Sequence, residues 1–92
     1  MMNIKISKVE ESGQEVLVKS NTYEEDDKAV ALYNRLTDEY ADQTLPFFDE
    51  GEKLIRLDIV SEDDAADENK EQKECYFEYS DALLDELSAH IQ

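Results

Sequence analysis

The feature that most constrains the fold is a strict alternation of apolar and charged side chains in the second half of the chain. Ile55, Leu57 and Ile59 alternate with two charged residues over positions 53 to 60. Because successive side chains of a β-strand point to opposite faces, this pattern predicts a strand with one buried and one polar face. Such strands are typical of antiparallel sheets. We therefore expect an antiparallel sheet that is covered on one side.

The N-terminal segment predicts a β-hairpin. Ile4 and Ile6 alternate with polar residues, and a second apolar run follows at residues 16 to 18. Between the two runs, residues 12 to 14 read Ser-Gly-Gln, a composition that favours a turn.

A first helix is predicted after the hairpin. Thr22 and Glu25 have the spacing of a capping box, which places the helix start near Tyr23. The helix is expected to run to about Ala41, and Pro46 ends the segment because proline disfavours a helical residue before it. Its apolar stripe has three- and four-residue spacing and consists of Val30, Tyr33, Leu36 or Thr37, and Tyr40.

The second half repeats this order of elements. Residues 61 to 74 contain no large apolar side chain and are expected to form an acidic, solvated loop. A fourth strand follows, with alternating Cys75, Phe77 and Tyr79. Ser80 or Asp81 is expected to cap a last helix, whose apolar side chains are Leu83, Leu84, Leu87 and Ile91.

Together these patterns predict one α+β domain over residues 1–92. We expect a four-stranded, mostly antiparallel sheet in a ββα-ββα order, with two helices on one face. The opposite face is expected to present polar side chains to solvent or to a partner, namely Lys5, Ser7, Arg56, Asp58, Tyr76 and Glu78.

The charge of the chain is large and unevenly distributed. The chain has 25 Asp and Glu against 9 Lys and Arg, a net charge of −16. Residues 1 to 22 are neutral overall, whereas the stretches 23 to 52 and 53 to 92 carry a net charge of minus eight each. This pattern indicates a neutral structural portion joined to an acidic surface, and it favours a positively charged partner.

The sequence gives little support to catalytic or metal sites, and we expect no cofactor. Calcium-loop registers that start at Asp63 or Asp67 place the wrong residues at the ligand positions. Cys75 and His90 are the only imaginable nucleophile and base, and nothing in the sequence brings them together. The single cysteine is expected to be a reduced, packed thiol in a cytoplasmic protein, and neither a secretory signal nor a membrane span is predicted.

Direct nucleic-acid binding is disfavoured because the basic residues are scattered. A dense carboxylate surface is instead suited to occupy a groove that a nucleic-acid-handling nuclease or effector complex holds open for phosphates. We therefore expect a DNA or RNA mimic, of the anti-restriction or anti-CRISPR kind made by phages and mobile elements. The predicted partner-binding residues, with Tyr76 as an aromatic anchor, are Asp38, Glu39, Asp42, Glu62, Asp63, Asp64, Asp67, Glu68, Glu74, Tyr76 and Glu78.

Two alternatives remain at the level of sequence. The first is an immunity protein or antitoxin that neutralises one basic toxin nuclease through the same electrostatics. The second is a halophilic or merely very soluble domain.

Overall fold

The computed structural model describes residues 1–45, 51–61 and 72–91. Its elements follow in the order β1, β2, α1, a short 3-10 helix, β3, β4 and α2. Their bounds are Met2–Val9 (β1), Glu15–Tyr23 (β2), Asp26–Glu39 (α1), Ala41–Gln43 (the 3-10 helix), Leu54–Ser61 (β3), Gln72–Glu78 (β4) and Asp81–His90 (α2). The 3-10 helix, which was not predicted, follows α1 and has no counterpart in the described residues after α2. The chain is therefore not a plain repeat of two ββα units.

The four strands form one antiparallel sheet in the order β2-β1-β3-β4. The central pair is β1 with β3, in a register that sets Ile4 opposite Ile59 and Ile6 opposite Leu57. The predicted antiparallel α+β architecture is therefore confirmed. Because each half of the chain contributes one central strand, the two halves share a single core.

The core lies between the sheet and the two helices. On the helix-facing side of the sheet, Ile4, Ile6 and Leu57 are fully buried. Burial of each such side chain contributes roughly 1.5 to 3 kcal/mol, which makes this layer the main source of stability. The helices contribute Ala29, Tyr33 and Leu36 from α1, and Leu83 and Leu87 from α2, followed by Ile91.

The first turn forms where the sequence places it. The N–H of Gly13 donates to the carbonyl of Glu10 at 2.8 Å, and the N–H of Glu10 donates to the carbonyl of Gln14 at 2.8 Å. Gly13 has a φ of 89°, a conformation that side chains with a Cβ rarely adopt.

The predicted start of α1 is wrong, because β2 extends through the residues assigned to the cap. Tyr23 pairs with Met2, and the Thr22 hydroxyl accepts a hydrogen bond from Asn3 Nδ2 at 2.9 Å. With Thr22 bound to β1, the helix begins at Asp26 after Glu25, which makes no side-chain cap bond. Sheet pairing has therefore displaced a local helix signal.

The last helix begins as predicted from Ser80. The Ser80 hydroxyl accepts a hydrogen bond from the N–H of Leu83 at 3.4 Å, and the Tyr79 hydroxyl donates to Asp81. The acidic loop predicted over residues 61 to 74 is shorter, because Ser61 belongs to β3 and β4 begins at Gln72. The remainder of that loop lies outside the described residues.

The sheet face opposite the helices is less open than predicted. Ser7 and Asp58, expected to face solvent or a partner, are each 8 % exposed. Within the described ranges, no helix is both long and apolar enough to cross a membrane.

Candidate protein-interaction surface

The end of α1 and the outer edge of β4 are joined by backbone contacts. Thr44 forms an antiparallel bridge with Phe77, and the N–H of Leu45 donates to the carbonyl of Tyr76 at 2.8 Å. The intervening 3-10 turn is held by the Thr44 hydroxyl, which donates to the carbonyl of Ala41 at 2.7 Å. The chain that leaves α1 therefore runs directly to the sheet edge that carries the predicted strand residues.

This junction places predicted site residues at the end of α1 beside the β4 edge. Asp38 and Glu39 lie in the last turn of α1, and Asp42 lies in the 3-10 helix. Glu78 ends β4 and points to the sheet face opposite the helices, because its neighbour Phe77 is buried in the core; all four side chains are exposed. We name the three residues at the end of α1 and in the 3-10 helix, Asp38, Glu39 and Asp42, the β4-edge acidic surface.

The carboxylates of the β4-edge acidic surface make no ion pair with the described part of the chain. The last turn of α1 has no basic residue. Negative charge at a helix C-terminus costs about 0.3 to 1 kcal/mol per exposed group, because the helix dipole is negative at that end. Asp38 and Glu39 therefore reduce the stability of α1.

The acidic residues at the other end of α1 are better compensated. The N-terminal ammonium of Met1 pairs with Asp26 at 2.6 Å, and Lys28 pairs with Glu25 at 3.3 Å. Asp26 and Asp27 also lie in the first turn, where the helix dipole favours negative charge. The electrostatic cost of α1 is thus concentrated at its C-terminal end, beside β4.

The other predicted strand residues are engaged within the molecule. Arg56 Nη2 donates to Glu74 at 2.7 Å, so Glu74 is neutralised locally even though it is exposed. Tyr76 is half-buried, with the Arg56 guanidinium carbon 5.9 Å from its ring centroid. The predicted exposure of Tyr76 is therefore only partial, and both residues contribute to the rigidity of the sheet face.

Arg56 binds more carboxylates than the sequence pattern indicated. Its Nε donates to Asp58 at 2.8 Å and its Nη1 donates to Glu15 at 2.7 Å, in addition to the bond with Glu74. One guanidinium thus connects carboxylates on β2, β3 and β4. The alternation placed Arg56 and Asp58 on one face, but it gave no sign that Glu15 crosses the sheet to join them.

Burial and charge oppose each other in this network. Burial lowers the pKa of Arg56, but the hydrogen bonds to Glu15 and Asp58 outweigh it and raise the pKa above its ordinary value. Burial is the main cause that raises the pKa of Asp58 above its ordinary value, Arg56 opposes this rise, and the carboxylates of Glu74 and Glu15 add to it. Since Arg56 remains charged, three carboxylates around one cation leave this face with a net negative charge.

A second cluster lies where α1 meets the end of α2. Arg35 Nη2 donates to His90 Nδ1 at 3.0 Å, and the Tyr40 hydroxyl lies 3.5 Å from His90 Nε2. Burial raises the pKa of Tyr40, and the carboxylates of Glu86 and Glu39 raise it further. The cluster fixes the end of α2 against α1, next to the β4-edge acidic surface.

The described contacts of Cys75 and His90 do not suggest a catalytic pair. The His90 ring contacts Arg35 and Tyr40, whereas Cys75 lies on β4 beside the helix-facing core. Burial raises the pKa of Cys75, which keeps the thiol protonated and unreactive. Within the ranges that the structure covers, no group of three or more His, Cys, Asp or Glu has a metal-binding arrangement.

The remaining predicted site residues belong to the loop before β4. Glu62, Asp63, Asp64, Asp67 and Glu68 lie outside the described residues. Their assignment to the partner surface stays a prediction from the sequence.

Comparison with known proteins adds no functional constraint. The chain matches no protein-family model, no curated protein and no solved structure. Its function is therefore argued from the geometry and charge of its own residues.

Proposed function

We propose that this chain is a small acidic inhibitor that occupies the basic, nucleic-acid-binding surface of a target protein. In this proposal its carboxylates take the place of the phosphates of DNA or RNA. The target is a nuclease or effector complex that handles nucleic acid, and the setting is the cytoplasm, that of the host cell if the gene belongs to a phage or mobile element. The anti-restriction or anti-CRISPR class is the proposed biological context.

One observation carries this proposal: Asp38 and Glu39 make no ion pair with the described part of the chain, although they lie at a helix end where negative charge is locally unfavourable, and the exposed Asp42 follows them in the 3-10 helix. Lysine at the same positions would stabilise the helix. Carboxylates that reduce stability, on an element tied to the sheet by Leu45 and Tyr76, are suited to binding a cation outside the molecule.

The rigidity of the frame supports the same proposal. B-DNA carries one negative charge per roughly 1.7 Å of its axis, so a mimic must hold several anionic groups in fixed positions. The bridge from Thr44 to Phe77 and the contacts of His90 with Arg35 and Tyr40 fix the end of α1 on two sides. The backbone that carries the carboxylates at the end of α1 is therefore already ordered, and binding requires little additional ordering of it.

Titration against a panel of purified DNA-binding nucleases, with and without competing duplex, tests the proposal. We expect one member to bind the chain, and excess duplex to displace it. The triple variant Asp38→Asn, Glu39→Gln, Asp42→Asn should weaken this complex by about tenfold or more. A variant with the same change in charge elsewhere, Glu11→Gln, Glu24→Gln, Asp27→Asn, should weaken it clearly less.

Three results would contradict the proposal. One is the absence of binding to every nuclease in the panel, and another is a complex that excess duplex leaves intact. The third is an equal loss of affinity in the two triple variants, since that result would assign the effect to bulk charge. Tight binding to a single toxin nuclease encoded beside this chain, without competition by duplex, would favour the immunity-protein or antitoxin alternative.

A further inference from the structure

The outer edge of β2 carries an exposed apolar run. Val16, Leu17 and Val18 are 42 %, 56 % and 42 % exposed, and Met1 is the one other large hydrophobic residue as exposed within the described ranges. Isolated exposed apolar residues are ordinary. Three in sequence on an edge strand expose apolar side chains on both faces of that edge, which marks an interaction site or an aggregation hazard. We name residues 16 to 18 the β2 ridge.

The two edges of the sheet are treated differently by the chain. The β4 edge is covered in part by its own segment through Thr44 and Leu45. The β2 edge pairs inward with β1, and no residue in the described ranges pairs with its outer side. Unpaired backbone groups and exposed apolar side chains therefore coincide on one edge.

A bulge determines what kind of contact this edge can make. Ile6 pairs with Lys19 and Ser7 pairs with Leu17, so Val18 has no partner on β1. A bulge bends an edge strand and prevents long, continuous pairing with another strand. An occupant is therefore held by the apolar side chains and by a short stretch of backbone pairing.

The charge distribution makes this edge the place where a second copy of this chain meets the least repulsion. Two copies with a net charge of −16 each repel one another, so they associate best where their own charge is lowest. Residues 1 to 22, which contain the ridge, are neutral overall. Beyond the end of β2, Glu25 and Asp26 are already paired with cations, whereas Glu24 and Asp27 make no ion pair with residues that the structure describes.

The β2 ridge lies far enough from the β4-edge acidic surface for the repulsion between them to be screened. The β2 and β4 edges are three strand spacings apart, about 14 Å at roughly 4.8 Å per spacing. The screening length is about 8 Å at physiological ionic strength. Repulsion from the β4-edge acidic surface is therefore largely screened at the β2 ridge, whereas a basic partner gains little from the neutral hairpin.

We propose that the β2 ridge is the interface of a homodimer, in which the β2 edges of two copies meet across a two-fold axis and the side chains of Val16, Leu17 and Val18 pack along both faces of the joined edges. The contact is small, so the dimer is expected to be weak and to depend on concentration. This proposal does not rest on the proposed function and is tested without any target protein.

Analytical ultracentrifugation from the micromolar to the millimolar range tests the interface at several salt concentrations. We expect a monomer–dimer equilibrium whose dissociation constant falls as salt is raised, because salt screens the repulsion between copies. The variant Leu17→Ser, Val18→Thr keeps the net charge and should raise the dissociation constant by about tenfold or more. Ala82→Ser, at an exposed position of α2, is the matched control and should leave it unchanged.

Amide hydrogen exchange provides a second measurement that does not depend on a variant. Amides of β2 should become more protected as the concentration of the wild-type chain rises, while amides of α2 should not. A chain that stays monomeric throughout overturns the proposal. So does a dimer that is insensitive to the ridge variant, or one that salt dissociates, since both require a different interface.

Discussion

The N–H of Leu45 donates to the carbonyl of Tyr76 at 2.8 Å, and through this bond the chain that leaves α1 is fixed to the edge of β4. This bond has an electrostatic consequence, because it holds the carboxylates at the end of α1 beside the edge of the sheet. A helix end that is unfavourable for folding is thereby held in a defined position. This relation is the structural basis of the proposed function.

Neutralising the end of α1 should stabilise the protein. Asp38→Asn with Glu39→Gln removes two charges that oppose the helix dipole, and we expect a gain of about 0.3 to 1 kcal/mol per residue. Chemical denaturation at low salt measures this gain. Asp27→Asn, in the first turn of the same helix, is the matched control and should have the opposite sign; a gain there as well would indicate general charge repulsion instead.

Loss of Arg56 should be among the most costly substitutions on the sheet face. Arg56→Met leaves the mostly buried Asp58 without its cation, and we expect a loss of roughly 2 to 3 kcal/mol. Glu15→Gln removes one exposed partner and should cost less than about 1 kcal/mol. Urea unfolding of both variants at neutral pH tests the difference, and equal costs would show that Arg56 does not organise the network.

The pH dependence of Arg56→Met should follow from Asp58. Burial raises the pKa of Asp58, and loss of Arg56 raises it further, so its charged form is penalised in the folded state. A raised carboxyl pKa means that stability increases as pH falls through the folded value. The stability deficit of the variant, measured against wild type at each pH, should therefore shrink as the solution is acidified, and a deficit that stays constant contradicts this assignment.

Alkaline pH should unfold the protein through Tyr33. Burial is the main cause that raises the pKa of Tyr33 well above the ordinary value of 10.0, and the nearby Cys75, Asp58 and Glu74 add to the shift. A raised pKa contributes stability that is complete below the unfolded pKa, about 10, and is lost as pH rises towards the folded one. Ultraviolet tyrosinate absorbance should show a component that appears only together with unfolding, and Tyr33→Phe should remove that component. Ionisation of all five tyrosines while far-ultraviolet circular dichroism stays native would contradict the burial of Tyr33.

The two helix starts should respond differently to mutation. Ser80→Ala removes the hydroxyl that accepts from the N–H of Leu83 and should cost about 1 kcal/mol. Glu25→Ala, at the N-cap of α1, should change stability by less than about 0.5 kcal/mol because Glu25 makes no side-chain cap bond. Thermal unfolding of the two variants measures this difference in stability. A large loss of stability in Glu25→Ala would indicate that Glu25 does cap α1, which contradicts the structure.

The strands were predictable because their pattern is local and strict. Alternation around Ile4, Ile6, Leu57 and Ile59 identified two strands and the face that each one buries. The sheet order was not contained in that pattern. The order of the strands depends on which of them are flanked by a strand on both sides, and the packing of the whole chain determines that.

The start of α1 shows the limit of local signals. Thr22 and Glu25 satisfy the spacing of a capping box, yet Asn3 on a neighbouring strand binds the Thr22 hydroxyl at 2.9 Å. The competing residue is 19 positions away in sequence, so no local window contains it. The meeting of Glu15 with Arg56 escaped prediction for the same reason.

The candidate surface was predictable in charge but not in geometry. The charge of the chain led us to predict Asp38, Glu39 and Asp42 as partner-binding residues, and the structure shows how the segment that follows α1 is fixed to the edge of β4. The sequence did not indicate that Arg56 donates a hydrogen bond to Glu74. Which carboxylates remain available depends on which basic side chains fold against them.

The unequal edges of the sheet also set the size of any assembly. Growth through strand edges needs two open margins on every molecule, and here the chain's own residues Thr44 and Leu45 obstruct one of them. In the proposed dimer, association through the sheet edges therefore stops at a pair. The same obstruction leaves the two β4 edges of that proposed dimer facing outward, at its two far ends.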